Sequence, residues 1–129
     1  MNKISVYVAA EFNIAEAARQ AKLMASVLGF SSVQSYYIAT AASELAANVF
    51  IHADGGMFEV SALTDRPGLE LVVSDHGPGI ADIEKALQDG YSTAGGLGCG
   101  LPGVQRLMDE MDIDSQPGQG TVVRARKWL

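Results

Sequence analysis

Two alanine-rich segments follow each other almost without a break and limit the folds open to this chain. The first has apolar residues at helical spacing, Asn13 as its predicted N-cap and Gly29 as its stop. The second opens at Ser31, which has Gln34 three residues later as a capping-box partner, and it runs to the stop signal at 54–56. The pattern therefore predicts two long adjacent helices that must share an apolar surface with other elements.

Strand-like segments supply that surface. Their apolar and β-branched residues lie at 3–10, 57–63, 69–75, 111–114 and 122–128. Turns rich in glycine and proline join the last four into two hairpins, and short helices are predicted at 80–87 and 104–109. Hairpins that alternate with helix pairs predict an α+β fold, a two-layer α/β sandwich with a mixed, mainly antiparallel sheet and helices on one face. We take residues 1–129 as one domain, because one core typically organises a chain of this length.

Charge and cysteine content narrow the partners and the compartment. The chain has 15 Asp and Glu against 9 Lys and Arg, and a net charge of −6 argues against nucleic acid as a partner. It has one cysteine and therefore no internal disulfide, which is typical of a reducing compartment. No apolar run reaches the roughly 18 residues of a membrane span. We expect a cytoplasmic protein with no membrane partner.

Three polar residues, Glu44, Asn48 and His52, recur every four positions in the second helix. Each step of four residues rotates by only about 40°, so the three side chains lie along one side of the helix. A carboxylate, an amide and an imidazole in line could activate a hydroxyl and bind a hard cation. A solvated polar face explains the same spacing, and the role of His52 stays open.

Two glycine-containing motifs lie beyond that helix. Asp75 ends a predicted strand and is followed by Gly77 and Gly79, so an acid and a flexible backbone could meet a ligand there. Four of the six residues 95–100 are glycines that precede a helix, a pattern whose exposed N–H groups can hold phosphates. A tight turn and a flexible loop are the alternative interpretations. The second motif lacks the Gly-Lys-Ser/Thr of a P-loop.

Taken in order, these motifs resemble the Bergerat (GHKL) ATP-binding fold shared by gyrase B, Hsp90, sensor histidine kinases and MutL. The resemblance uses Glu44-x-x-x-Asn48, Asp75-x-Gly77-x-Gly79, Gly96-x-Gly98-x-Gly100 and Gly120-Thr121, and it covers essentially the whole chain. Within the fold, residues 44–53 and 92–110 are similar to bacterial anti-sigma-type serine/threonine kinases, closest to the stressosome switch kinases. Ala47 departs from them, since such kinases can carry a basic residue beside the Asn.

The resemblance implies ATP and Mg²⁺ as cofactors and gives each motif residue a role. Glu44 would be the general base, and Asn48 would ligate Mg²⁺. Asp75, assisted by Thr121, would bind the adenine amino group. The remaining nucleotide-binding residues would shape the adenine pocket or wrap the phosphates: Gly77, Gly79, Gly96, Leu97, Gly98, Gly100 and Leu101.

The resemblance also implies the partners. Such a kinase phosphorylates a STAS-domain antagonist and its co-antagonist, and the released kinase then binds and activates a PPM-type serine phosphatase. One alternative is an anti-sigma factor with serine kinase activity towards an anti-anti-sigma STAS protein. A second is a non-catalytic ATP-sensing binding module, which would have no need of Glu44. A third, the detached catalytic domain of a histidine kinase, is disfavoured because the segment that resembles the family's lid over the nucleotide, Gly96-x-Gly98-x-Gly100, is short.

Overall fold

The computed structural model describes residues 3–77 and 100–129. Its elements, in chain order, are β1 Lys3–Val8, α1 Phe12–Leu28, α2 Ser32–Ala53, β2 Gly56–Leu63, β3 Gly68–Asp75, α3 Gly100–Leu107, β4 Glu110–Ser115 and β5 Thr121–Trp128. The helix predicted at 80–87 lies outside the described residues. None of the described helices is long and apolar enough to cross a membrane.

The five described strands form one sheet in the order β1-β2-β3-β5-β4, and every neighbouring pair is antiparallel. The two hairpins, β2–β3 and β4–β5, therefore lie next to each other and pair through β3 and β5, and β3 is the central strand. The helices α1 and α2 pack on each other and on one face of this sheet. The predicted α+β architecture, with strands in hairpins and helices on one face, is confirmed.

The strand register aligns apolar residues of neighbouring strands in rows on the sheet face that the helices cover. Phe58 pairs with Val73, and Val73 pairs in turn with Val123, so three strands contribute to one buried row. On the helix side, Ile38 and Leu45 of α2 are fully buried. Since strand residues alternate between faces, this register also decides which polar residues at the strand ends point towards α2.

The two long helices begin differently. In α2, the backbone N–H of Gln34 donates to Ser31 Oγ at 3.1 Å, and the N–H of Ser31 donates to Gln34 Oε1 at 3.4 Å, so the predicted capping box is confirmed. In α1 the predicted cap is wrong, because the helix begins at Phe12 and Asn13 lies inside its first turn. The Asn13 amide oxygen instead accepts from the N–H groups of Ala9 and Ala10, which fixes the chain that enters the helix.

Candidate active site

The polar line predicted on the second helix lies in the C-terminal half of α2. Glu44 and Asn48 are half-buried, whereas His52 is exposed in the last turn. Leu45 and Val49 point away from this line and are buried in the core. The helix is thus held by its apolar side, and it presents one carboxylate and one amide in a partly desolvated position.

The environment of the Glu44 carboxylate changes its acidity. Partial burial raises its pKa above the ordinary value of 4.5, and a hydrogen bond from the backbone N–H of Gly100 opposes part of that increase. Gly100 is the first residue of α3, which packs on α2. A carboxylate with a raised pKa is a stronger base, which is the property that a residue accepting a proton from a hydroxyl requires.

Asp75 lies at the end of β3, beside the last turns of α2. Its Oδ1 accepts a hydrogen bond of 2.9 Å from the backbone N–H of Gly77. A Cβ built at Gly77 would lie 2.7 Å from the Cβ of Ala53, and one built at Gly56 would lie 2.8 Å from a methyl group of Val49 and 3.1 Å from the Cβ of Asp75. The strand end and the helix end therefore meet at positions that only glycine fits.

The hairpin turn before β5 closes on the same strand end. Gly120 has a φ of +82°, and a Cβ there would collide with the carbonyl oxygen of Asp75. The next residue, Thr121, pairs directly with Asp75 across β3 and β5. Directly paired residues of antiparallel strands share a face, so the hydroxyl and the carboxylate lie side by side on the face that α2 covers.

Ser115, which the sequence motifs did not identify, joins this group. It is the last residue of β4 and pairs with Thr121, and the two hydroxyl oxygens are 2.7 Å apart. In the sequence, Ser115 and Thr121 flank the predicted turn at 116–120, so both lie near one hairpin end. A serine at a predicted hairpin end is too common a feature to be singled out without the register.

The predicted phosphate-binding residues are described only in part. Gly79, Gly96, Leu97 and Gly98 lie outside the described residues. Gly100 has a φ of +42° and opens α3. The Leu101 side chain is buried in the core, so a contact between Leu101 and a nucleotide would have to come from its backbone.

The described residues thus form two groups of polar side chains that could line one site. One group is the line of Glu44 and Asn48 on α2, and the other is Asp75 and Thr121 at the strand ends. The tight packing of Gly56 and Gly77 against α2 fixes the two groups relative to each other. One group offers a carboxylate and an amide oxygen, and the other offers a carboxylate and a hydroxyl.

Comparisons with known proteins agree with this geometry. Residues 8–127 match the family model of the histidine kinase-like ATPase domain. The solved histidine kinase domain from the blue-light activated histidine kinase of Erythrobacter litoralis EL346 has a similar fold, with a TM-score of 0.58 at 20% identity. That match covers 92% of this chain and 60% of the other, and it supports the fold alone.

Sequence relatives place the chain more narrowly. It is 45% identical over 126 residues to the serine/threonine-protein kinase RsbT of Bacillus subtilis, covering 96% of this chain and 95% of RsbT. It is 37% identical over 98 residues to an anti-sigma F factor of Heyndrickxia coagulans, covering 70% of this chain and 67% of that protein. The chain therefore belongs to the histidine kinase-like ATPase family, as a serine/threonine-protein kinase of the RsbT type.

Proposed function

We propose that this kinase acts in a partner-switching stress-response module. It phosphorylates a STAS-domain antagonist and co-antagonist with Mg-ATP, and the released kinase then binds and activates a PPM-type serine phosphatase. The observation that carries the proposal is the half-buried Glu44, whose pKa is raised and which lies one helical turn from Asn48. The similarity to RsbT along almost the whole chain supports the choice of a protein substrate.

The proposed transfer needs little covalent chemistry from the protein. Glu44 accepts the proton of the substrate hydroxyl while the hydroxyl oxygen forms a bond to the γ-phosphorus of ATP. The bond between that phosphorus and the bridging oxygen of the β-phosphate breaks, and ADP leaves with the electron pair. Asp75 and Thr121 hold the base of the nucleotide, so the γ-phosphate lies at a fixed distance from Glu44. Phosphoryl transfer depends mainly on such positioning and on charge neutralisation.

The residues at the site fit Mg²⁺ that is held mainly by the nucleotide. Within residues 3–77 and 100–129 there is no group of three or more His, Cys, Asp or Glu that could hold a metal. Asn48 offers an amide oxygen, which is a suitable ligand for a hard cation that retains phosphate and water oxygens. The ion would supply neutralisation of the phosphate charge. An acidic chain needs such a counter-charge to bind a polyanion.

The anti-sigma F factor relatives support a second candidate, an anti-sigma factor with serine kinase activity towards an anti-anti-sigma STAS protein. This candidate shares the chemistry and differs in the downstream partner, which would be a sigma subunit. A non-catalytic ATP-sensing module is the remaining alternative. It gives no use to the half-buried Glu44 carboxylate, although burial of an ionisable group costs stability.

The deciding experiment mixes the purified chain with Mg-ATP and a STAS-domain protein and maps the phosphorylated residue by mass spectrometry. We expect transfer to a serine or threonine, and loss of transfer in Asn48→Ala and Asp75→Asn. Transfer that survives both substitutions unchanged would refute the site. A stable complex with a sigma factor and none with a STAS domain would favour the anti-sigma factor. ATP binding without transfer to any STAS protein would favour the sensing module.

Glu44→Gln separates the base from nucleotide binding. We expect nucleotide affinity to stay within a few-fold and the rate of transfer to fall by about 10²–10⁴, the usual contribution of a general base. Glu16→Gln on α1 is the matched control, since it makes the same change and keeps an acceptor for the Asn13 amide. Equal losses of affinity and rate in Glu44→Gln would contradict the role of a base.

A further inference from the structure

Ser115 lies at the end of the edge strand β4 and makes two polar contacts with the turn that precedes β5. Its Oγ donates to the carbonyl oxygen of Gly120 at 3.2 Å and is 2.7 Å from Thr121 Oγ1. The same Gly120 packs on the backbone of Asp75. Ser115 therefore holds the turn at the point where it closes on the strand end of the site.

The two contacts constrain the bond between the Ser115 and Thr121 hydroxyl groups, in which either oxygen could be the donor by distance alone. A hydroxyl has one hydrogen, and a carbonyl oxygen only accepts. When the Ser115 hydrogen is directed to the Gly120 carbonyl, the hydrogen in the 2.7 Å contact has to come from Thr121. The Thr121 oxygen is then left with lone pairs, so it faces the site as an acceptor.

Asp75 is also a hydrogen-bond acceptor. An ionised carboxylate only accepts hydrogen bonds, and the Oδ1 atom of Asp75 already accepts from the N–H of Gly77. Since Asp75 and Thr121 are direct partners across β3 and β5, two acceptors lie next to each other. An exocyclic amino group with two N–H donors satisfies such a pair, whereas a carbonyl oxygen would face two acceptors without a hydrogen.

We propose that Ser115 is a positioning residue that fixes the Thr121 hydroxyl as an acceptor and so makes the site select a 6-aminopurine over a 6-oxopurine. This inference rests on the proposed use of ATP and adds a residue that acts through Thr121 rather than on the nucleotide itself. Without Ser115, the Thr121 hydroxyl is free to rotate and to donate to a 6-oxo group. The loss of affinity for a 6-oxopurine then becomes smaller, because that loss comes from a carbonyl oxygen that faces two hydrogen-bond acceptors.

Nucleotide affinity in the presence of Mg²⁺ tests the inference by calorimetric titration of the full chain. Three ligands differ at position 6 of the purine: ATP, inosine triphosphate, which also carries a hydrogen at N1, and purine riboside triphosphate, which has no substituent at position 6. In Ser115→Ala we expect ATP to bind about three- to tenfold more weakly, the value of one hydrogen bond. Purine riboside triphosphate should change by less than twofold, and the preference for ATP over inosine triphosphate should narrow.

Two further variants keep the result specific. Ser115→Thr retains a hydroxyl on a β-branched side chain suited to a strand, and it should restore the preference for ATP. Ser74→Ala is the matched control, because Ser74 precedes Asp75 on β3 and lies on the opposite face of the sheet. It should leave all three affinities unchanged.

The outcomes separate the inference from the function on which it rests. If the unaltered chain prefers ATP and Ser115→Ala keeps that preference, or weakens all three nucleotides equally, Ser115 does not set the selectivity. If the unaltered chain binds none of the three, the proposed use of ATP is itself wrong. A loss of preference in Ser74→Ala as large as that in Ser115→Ala would also overturn the inference.

Discussion

Replacing Lys127 with methionine tests how α3 is held beside α2. Lys127 is only 8% exposed, although it lies on a strand of the sheet, and its Nζ donates to the carbonyl oxygen of Leu107 at 2.8 Å. Leu107 is the last residue of α3, so the ammonium group meets the negative end of the helix dipole. Asp109 Oδ1 lies 3.8 Å away, and the ring of Tyr37 from α2 lies 5.7 Å away.

The size of the effect follows from these contacts. A hydrogen bond from a charged donor contributes about 1.5–3 kcal/mol, and the helix terminus adds about 0.3–1 kcal/mol. Methionine keeps most of the apolar stem and removes the cost of desolvating an ammonium group, which offsets part of that sum. It also leaves the Leu107 carbonyl without its partner. We therefore expect the free energy of unfolding to fall by about 2 kcal/mol.

Urea unfolding followed by circular dichroism measures this difference, with the slope against denaturant unchanged. Lys3→Met is the matched control, because Lys3 is 59% exposed and forms an ion pair of 3.6 Å with Glu59. An exposed pair contributes little, so the control should lie within about 0.5 kcal/mol of the unaltered chain. A Lys127→Met variant as stable as the control would refute the claim that this ammonium group anchors α3.

Three further predictions follow from the site and the helix ends. Because burial raises the pKa of Glu44, we expect kcat/KM for phosphotransfer to fall as the pH decreases, with a midpoint above pH 4.5. Glu44→Gln should remove this acid limb of the pH profile. A midpoint at or below pH 4.5 would contradict the assignment of Glu44 as the base. Gly120→Ala, at a φ of +82° against the Asp75 backbone, should weaken ATP binding at least about tenfold in calorimetry, since the turn must move, and unchanged affinity would contradict this. Ser31→Ala should lower the free energy of unfolding by about 1 kcal/mol in urea and leave phosphotransfer unchanged; a loss of activity at equal stability would show that this cap does more than stabilise α2.

The position of α3 links several of these tests. Its first residue, Gly100, donates to Glu44, and its last residue, Leu107, accepts from Lys127. The helix therefore lies antiparallel along α2, with one end at the proposed base and the other end fixed to β5. A change at Lys127 that shifts α3 would reach Glu44 through the N–H of Gly100, so the acid limb of the pH profile reports on both ends of the helix.

Local signals in the sequence determined most of the secondary structure. Gly29 ends α1 with a φ of +101°, and Ser31 caps α2 as its spacing from Gln34 predicts. These features depend on neighbours within a few residues, so they are readable without the fold. The predicted cap of α1 was wrong because the Asn13 amide oxygen can accept from backbone N–H groups on either side of it. It accepts from Ala9 and Ala10, which follow β1, and not from N–H groups of the helix.

The resemblance carried by the order of the short motifs also selected Glu44, Asn48, Asp75 and Thr121 as candidate site residues. What only the tertiary structure decided is which polar groups these residues meet. Ser115 lies on β4 and Lys127 on β5. The strand register directs both side chains towards the helices, although polar residues are unusual at positions that face the core. Their partners, the Gly120 and Leu107 carbonyls, are orphan groups at a turn and a helix end. Register and unpaired backbone groups are properties of the assembled fold, and no local pattern of residues encodes them.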